Sequence, residues 1–102
     1  MDLNSYQDRA MSTRMASADE RYALENLVGE VGELFSLLAK ARRKEVKPDR
    51  DLVKKELGDI LWQVAAVAKD FEFTLGDVGY TNIEKLRSRQ ERGMIDSNGD
   101  NR

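Results

Sequence analysis

Two short runs hold the residues that could do chemistry: Gly29-Glu30-Val31-Gly32-Glu33-Leu34 and its echo Glu56-Leu57-Gly58-Asp59-Ile60-Leu61. Each sets two carboxylates three residues apart within an apolar run. On a helix, residues at that spacing stand on one side. Two such helices facing each other gather four carboxylates at one spot. Negative charges collected beside a core repel and desolvate one another, and a bound cation relieves both strains. Oxygen-only ligands favour a hard ion, so Mg²⁺ is the leading choice and Mn²⁺ the alternative. The chain has no histidine and no cysteine. That excludes imidazole bases, thiolate nucleophiles, the usual zinc ligands and disulfides. Chemistry must run on carboxylates, Lys, Arg, Tyr, hydroxyls and metal.

The elements that position these acids follow from periodicity and caps. A short first helix opens at Asp2 or Asn4, with Leu3, Tyr6, Ala10 and Met11 at helical spacing. Ser17-Ala18-Asp19-Glu20 is a capping box and starts a second helix running from about Ala18 to about Glu45. Its apolar stripe is Leu24, Leu27, Val28, Val31, Leu34, Phe35, Leu38 and Ala41, within an arc roughly 140° wide. Glu30 lies just beside that arc and Glu33 further round. Gly29 and Gly32 cost helix propensity, which predicts a close approach to the backbone there. Arg42, Arg43 and Lys44 suit the helix C-terminus.

Lys47-Pro48-Asp49 is the clearest loop. Asp49 or Asp51 caps a third helix to about Phe71, with a stripe of Val53, Leu57, Ile60, Leu61, Val64, Val67, Ala68 and Phe71. The short connection implies an antiparallel hairpin. Thr74 and Asp77 form another capping box and open a fourth helix to about Arg92, stopped by Gly93. On it Asn82, Lys85 and Arg89 continue the face of Leu75, Val78 and Leu86, so that face should look toward the hairpin and its acids. Leu37 and Trp62 fall outside the stripes, which points to a subunit interface or a ligand wall. The expected fold is all-α: two long antiparallel helices carrying the acids, with a short N-terminal and a C-terminal helix, assembled as a homo-oligomer. Residues 1–93 form one domain and 94–102 an irregular tail.

Composition narrows the classes of function. The chain has 102 residues, 35% charged and 40% hydrophobic, with net charge −2. This is one small folded domain with no basic excess, and nucleic acid is not an expected partner. No signal peptide or membrane span is visible, and a cytoplasmic protein is expected. Acid pairs three apart arise easily by chance when 19 of 102 residues are acidic. The bland reading is therefore two solvated helix faces. Three features count against it: both pairs flank apolar stripes, both contain glycine, and they lie on the two longest helices across a hairpin loop.

The arrangement Glu30-x-x-Glu33 followed by Glu56-x-x-Asp59 resembles the signature of the MazG-like nucleoside triphosphate pyrophosphohydrolases, members of the all-α NTP pyrophosphatase superfamily. The likeness extends to Tyr6-Gln7, to Asn82-Ile83-Glu84-Lys85-Leu86-Arg87-Ser88-Arg89 and to the closing Gly99-Asp100-Asn101-Arg102. It is similar to the short, single-domain members of bacteria and phages. The resemblance implies hydrolysis of nucleoside triphosphates to the monophosphate and pyrophosphate. It implies Mg²⁺ on Glu30, Glu33, Glu56 and Asp59, and Asn82, Lys85 and Arg89 meeting substrate. It also implies homodimers or homotetramers whose sites use more than one subunit. In this scheme water attacks the α-phosphorus, Glu30 or Glu33 accepts its proton, and Lys85 and Arg89 hold the leaving charge. Tyr6 and Trp62 are candidates for stacking on the base. The alternatives are a phosphoribosyl-ATP or deoxyuridine-nucleotide pyrophosphohydrolase, or a helical oligomerisation module without activity.

Overall fold

The computed structural model describes residues 1–15 and 20–93, with Glu20 described by its backbone alone. The described residues form four α-helices: α1 (Leu3–Met11), α2 (Glu20–Arg43), α3 (Arg50–Asp70) and α4 (Leu75–Glu91). No strand occurs among them. The fold is all-α, as the periodicity implied. Ser17, Ala18 and Asp19 of the capping box, and the tail from 94 to 102, lie outside the described residues.

Local chemistry sets the helix ends. Asp2 caps α1 by accepting from the Ser5 backbone N–H at 2.7 Å. Asp49 caps α3, accepting from Asp51 and Leu52. Thr74 caps α4 through Asp77 N–H at 3.1 Å. Two helices close with a left-handed residue that is not glycine, Glu45 after α2 (φ 56°) and Glu72 after α3 (φ 63°). At each, the next N–H reaches back five residues, Val46 to Ala41 O and Phe73 to Ala68 O. These are Schellman closures.

The hairpin of α2 and α3 is the principal packing unit, and α1 and α4 attach to α3 and to each other. The helix faces differ from the expected stripes. On α2 the covered row is Ala23, Asn26 with Leu27, Glu30, Leu34, Leu37 and Ala41. On α3 it is Val53, Glu56, Ile60, Gln63, Val67 and Asp70. Both rows recur every three or four residues, the spacing of a two-helix seam. Glu30 and Glu56 therefore lie within the seam and not beside it. Leu37, expected to point outward, is also in the seam.

The middle of the expected α2 stripe is uncovered. Val28 is 70% exposed and Phe35 61%, with Leu24, Val31 and Leu38 exposed beside them. That uncovered line is centred about 100° round α2 from the seam. The single broad stripe read from sequence is thus two adjacent faces, only one of which α3 covers. Leu57 and Leu61 of α3, and Phe71 just after it, are also exposed. The buried apolar residues are alanines apart from Leu75, and no large side chain is fully buried among the described residues.

α1 is locked across α3 by polar contacts. Gln7 is 4% exposed. Its amide N–H donates to Ala65 O and Phe73 O, and its carbonyl accepts from Leu75 N–H. Asn4 Oδ1 accepts from Gly76 N–H at 2.7 Å. A Cβ at Gly76 would lie 2.8 Å from that oxygen, so a larger residue there would push the Asn4 side chain off this contact. Arg14 and Asp70 form a two-pronged ion pair with both contacts at 2.9 Å.

Candidate functional site

The site is built at the middle of the hairpin, where the antiparallel course of α2 and α3 brings the two acid pairs level. Carboxylate oxygens of Glu30, Glu33 and Glu56 all lie within 4.8 Å of one another. Asp59 stands close enough for its charge to act on both Glu30 and Glu56. The helices dictate this arrangement. Glu30 and Glu56 occupy seam positions, while Glu33 and Asp59 stand one turn further along at the exposed margin.

The electrostatics follow from that placement. Burial pushes the Glu30 carboxyl above its ordinary value, and the charges of Glu33, Asp59 and Glu56 push the same way. Burial also raises Glu56, with Glu33 and Asp59 adding to it. One oxygen of each, Glu30 Oε2 and Glu56 Oε2, is buried without a hydrogen-bond partner. A buried acceptor left without a donor is destabilising. Clustered carboxylates with orphaned oxygens are suited to holding a cation, and an all-oxygen set suits a hard divalent one.

Gln63, two turns along α3 from Glu56, is a buried polar seam residue that the spacing of acids did not disclose. It lies seven residues after Glu56 and four after Asp59, on the same stripe of α3, and it is 9% exposed. Its Oε1 is a third buried acceptor without a partner. A glutamine at a seam position, in register with Glu56 and Asp59, was the available signal.

The remaining candidates are distributed differently. Tyr6 of α1 is half-buried against the Ala65, Ala68 and Leu75 cluster. Burial raises its hydroxyl pKa, and the nearby Asp59 charge raises it further. Tyr6 therefore lies near the acids. Trp62 does not face outward: its indole N–H donates to Ala10 O at 3.1 Å and Thr13 Oγ1 at 3.0 Å, fixing the ring against α1.

On α4, Asn82 is exposed while Lys85 and Arg89 are half-buried. Arg89 Nε is buried without a hydrogen-bond partner. Arg87 is a surface residue paired with Glu84 at 2.9 Å. Among the described residues no ion pair joins Lys85 or Arg89 to the acids, and α4 makes no close approach to α2. The expectation that this face of α4 packs toward the whole hairpin does not hold within one chain. Within one chain nothing approaches the motif glycines closely: a Cβ at Gly29, Gly32 or Gly58 would meet nothing within 4 Å.

Comparison with known proteins gives two findings. A family model described as the MazG nucleotide pyrophosphohydrolase domain matches residues 19–94. The Gene 37 protein of Mycobacterium phage L5 is 39% identical over 85 residues, covering 79% of this chain and 75% of that protein. No solved structure matches.

Proposed function

This chain belongs to the MazG nucleotide pyrophosphohydrolase family, and from that premise we propose that it hydrolyses ribo- or deoxyribonucleoside triphosphates to the monophosphate and pyrophosphate with Mg²⁺. The observation that carries the reading is the convergence of Glu30, Glu33 and Glu56 within 4.8 Å, with two orphaned buried oxygens. Glu30, Glu33, Glu56 and Asp59 would hold the ion. When bound, it neutralises phosphate charge and makes a water more acidic.

The protein's own groups do the rest. Water attacks the α-phosphorus and the bond to the bridging oxygen breaks, so pyrophosphate leaves. Glu33, with its exposed carboxylate, or Glu30 takes the water proton. Lys85 and Arg89 offset the charge gathering on the leaving group. Asn82 is assigned to substrate contact and Tyr6 to stacking on the base. Trp62, whose indole N–H is taken by Ala10 O and Thr13 Oγ1, contributes by fixing α1 on α3.

Assembly belongs to the same proposal. Leu24, Val28, Val31, Phe35 and Leu38 form a line more apolar than a monomer surface normally keeps. An open groove bounded by Val31, Leu34, Phe35 and Leu38 runs beside it. A second copy seated there would make a homodimer, or a tetramer built from dimers, and could carry its α4 basic residues to the neighbouring acids. No described helix is long and apolar enough to cross a membrane, and we assign the protein to the cytoplasm. The test is pyrophosphate release from the common ribo- and deoxyribonucleoside triphosphates with Mg²⁺. A monophosphate and pyrophosphate in equal amounts is the expected result. Orthophosphate as the product, or no turnover of any substrate, would overturn it.

A further inference from the structure

We propose that Lys40, Lys44 and Lys55 form a track on the hairpin that takes the distal phosphates of an inorganic or nucleoside polyphosphate and leads them to the carboxylates. The link to catalysis rests on the proposed function, whereas the binding itself does not. Residues 40–55, around the hairpin tip, hold eight cations against three acids, a net +5. The whole chain carries −2, so everything outside this stretch carries −7. Charge is thus segregated along the hairpin, with acids at its middle and bases at its end.

Helix dipoles account for only part of the tip cations. Lys40, Arg42, Arg43 and Lys44 stand where the dipole of α2 welcomes positive charge. Arg50, Lys54 and Lys55 do not: they lie in the first two turns of α3, where the dipole favours acids. All eight are exposed, and none forms an ion pair among the described residues. Lys55 stands one helical turn from Asp59 and still makes no pair with it.

Register singles out three of the eight. Lys40 follows Glu33 by seven residues, two turns, and shares its side of α2, and Lys44, just past the helix, lies one further turn on, its N–H still bonded to Lys40 O at 3.2 Å. Lys55 precedes Asp59 by four residues on α3. Glu33 and Asp59 are the acids at the exposed margin of the site. The lysines therefore continue the side on which the site opens, beginning roughly 10 Å along α2 from Glu33. A cluster of carboxylates repels an incoming polyphosphate, and a line of ammonium groups on the approach reverses that repulsion. Lysine suits the task, because its long stem and three rotatable donors follow a flexible phosphate chain. Single-stranded nucleic acid is the poorer fit. Residues 40–55 contain no aromatic side chain on which a base could stack.

The test compares two charge-matched variants of the full chain. One is Lys40→Gln, Lys44→Gln and Lys55→Gln combined. The other is Arg42→Gln, Arg50→Gln and Lys54→Gln, at the same tip but off the track. The probe is metal-free inorganic tripolyphosphate, followed by calorimetry, with circular dichroism confirming an unchanged fold. The track variant should weaken tripolyphosphate binding by about ten-fold or more, and the control by less than about three-fold. Binding should persist in Glu56→Gln, which separates it from the carboxylate site. With a nucleotide substrate, the track variant should raise KM with little change in kcat and flatten its salt dependence. Equal losses in both variants would reduce the track to bulk charge and overturn the proposal. So would an unphosphorylated oligonucleotide that binds as tightly as tripolyphosphate and is lost in the same variant. If no nucleotide is hydrolysed by the unaltered protein, the proposed function fails while the tripolyphosphate result stands or falls by itself.

Discussion

Gln7→Leu is the substitution whose consequence the structure specifies most fully. Leucine is apolar and of similar volume, though it branches one carbon earlier, and 96% of the residue is shielded, so most of the loss should come from polar groups. What changes is hydrogen bonding. Leu75 N–H, at the start of α4, loses its acceptor at 2.9 Å. Phe73 O loses a donor at 3.1 Å. Ala65 O keeps its place in the α3 ladder and is affected least. Two buried groups left unpaired cost about 1–3 kcal/mol each, and the Phe73 contact is only partly buried, so about 3 kcal/mol in total is expected. For a domain of this size that lowers Tm by about 12–24 °C. Urea unfolding followed by circular dichroism, at fixed protein concentration, measures it. The single Trp62, hydrogen-bonded to α1, reports through its emission whether α1 has lifted away. Gln7→Glu retains the acceptor for Leu75 but turns a buried charge toward two carbonyls. It should be at least as destabilising at neutral pH and recover as pH falls, since the protonated carboxyl can donate. A loss below about 1 kcal/mol for Gln7→Leu, with Trp62 emission unchanged, would show that Gln7 does not hold α1, α3 and α4 together.

Four further outcomes are expected. Glu56→Gln should abolish hydrolysis, raise the metal-free Tm, and remove the stabilisation by Mg²⁺, which in the unaltered protein should reach roughly 10–20 °C at a hundred-fold excess over Kd; full turnover by this variant would contradict the assignment. Burial and neighbouring charge raise Glu30 and Glu56 in the folded state, so they hold protons more tightly folded than unfolded. Their contribution is therefore present below the ordinary value of 4.5 and lost as pH rises through the raised values. The Tm difference between Glu56→Gln and the unaltered protein, both metal-free, should accordingly widen across that range, and a pH-independent difference would refute the cause. Phe35→Glu should yield a monomer by light scattering, and an unchanged assembly would place the contact elsewhere. Lys85→Ala and Arg89→Ala should lower kcat/KM by roughly ten- to a thousand-fold while Arg87→Ala is nearly silent; equal small effects would move the phosphates to other residues.

The helices were legible because their caps are local chemistry. Asp49 and Thr74 act through N–H groups two or three residues away, and sequence displays that spacing directly. Which helical face turns inward was less legible. Leu24, Val28, Val31, Phe35 and Leu38 are more apolar than the seam row, so hydropathy drew the stripe toward them. The seam on α2 instead contains Ala23, Asn26, Glu30 and Ala41 among its members. No hydropathy rule assigns an interior to Glu30, because the cluster it completes lies across a helix pair. Trp62 misled for a similar reason: α1, which covers it, returns from 52 residues away in sequence. The three-residue acid spacing did identify residues that converge, but Gln63 carries no charge and escaped the same pattern.

The two departures share a physical origin. An ordinary helical hairpin fills its seam with leucine and leaves its outside polar. Here Glu30, Glu56 and Gln63 take seam positions, each with a buried oxygen that lacks a donor, and the outside of α2 carries the leucine, valine and phenylalanine that a seam would use. Polar groups inside and apolar groups outside both weaken the isolated chain. Each fault needs a different remedy: donors or a cation for the orphaned oxygens, and apolar cover for the outer line. Since α2 carries both faces, fixing one restrains the helix that presents the other. Association and metal binding should then reinforce each other, so that Phe35→Glu weakens Mg²⁺ binding without touching a carboxylate. Equal Mg²⁺ affinity in the monomeric variant and the unaltered assembly would separate the two faces and refute that coupling.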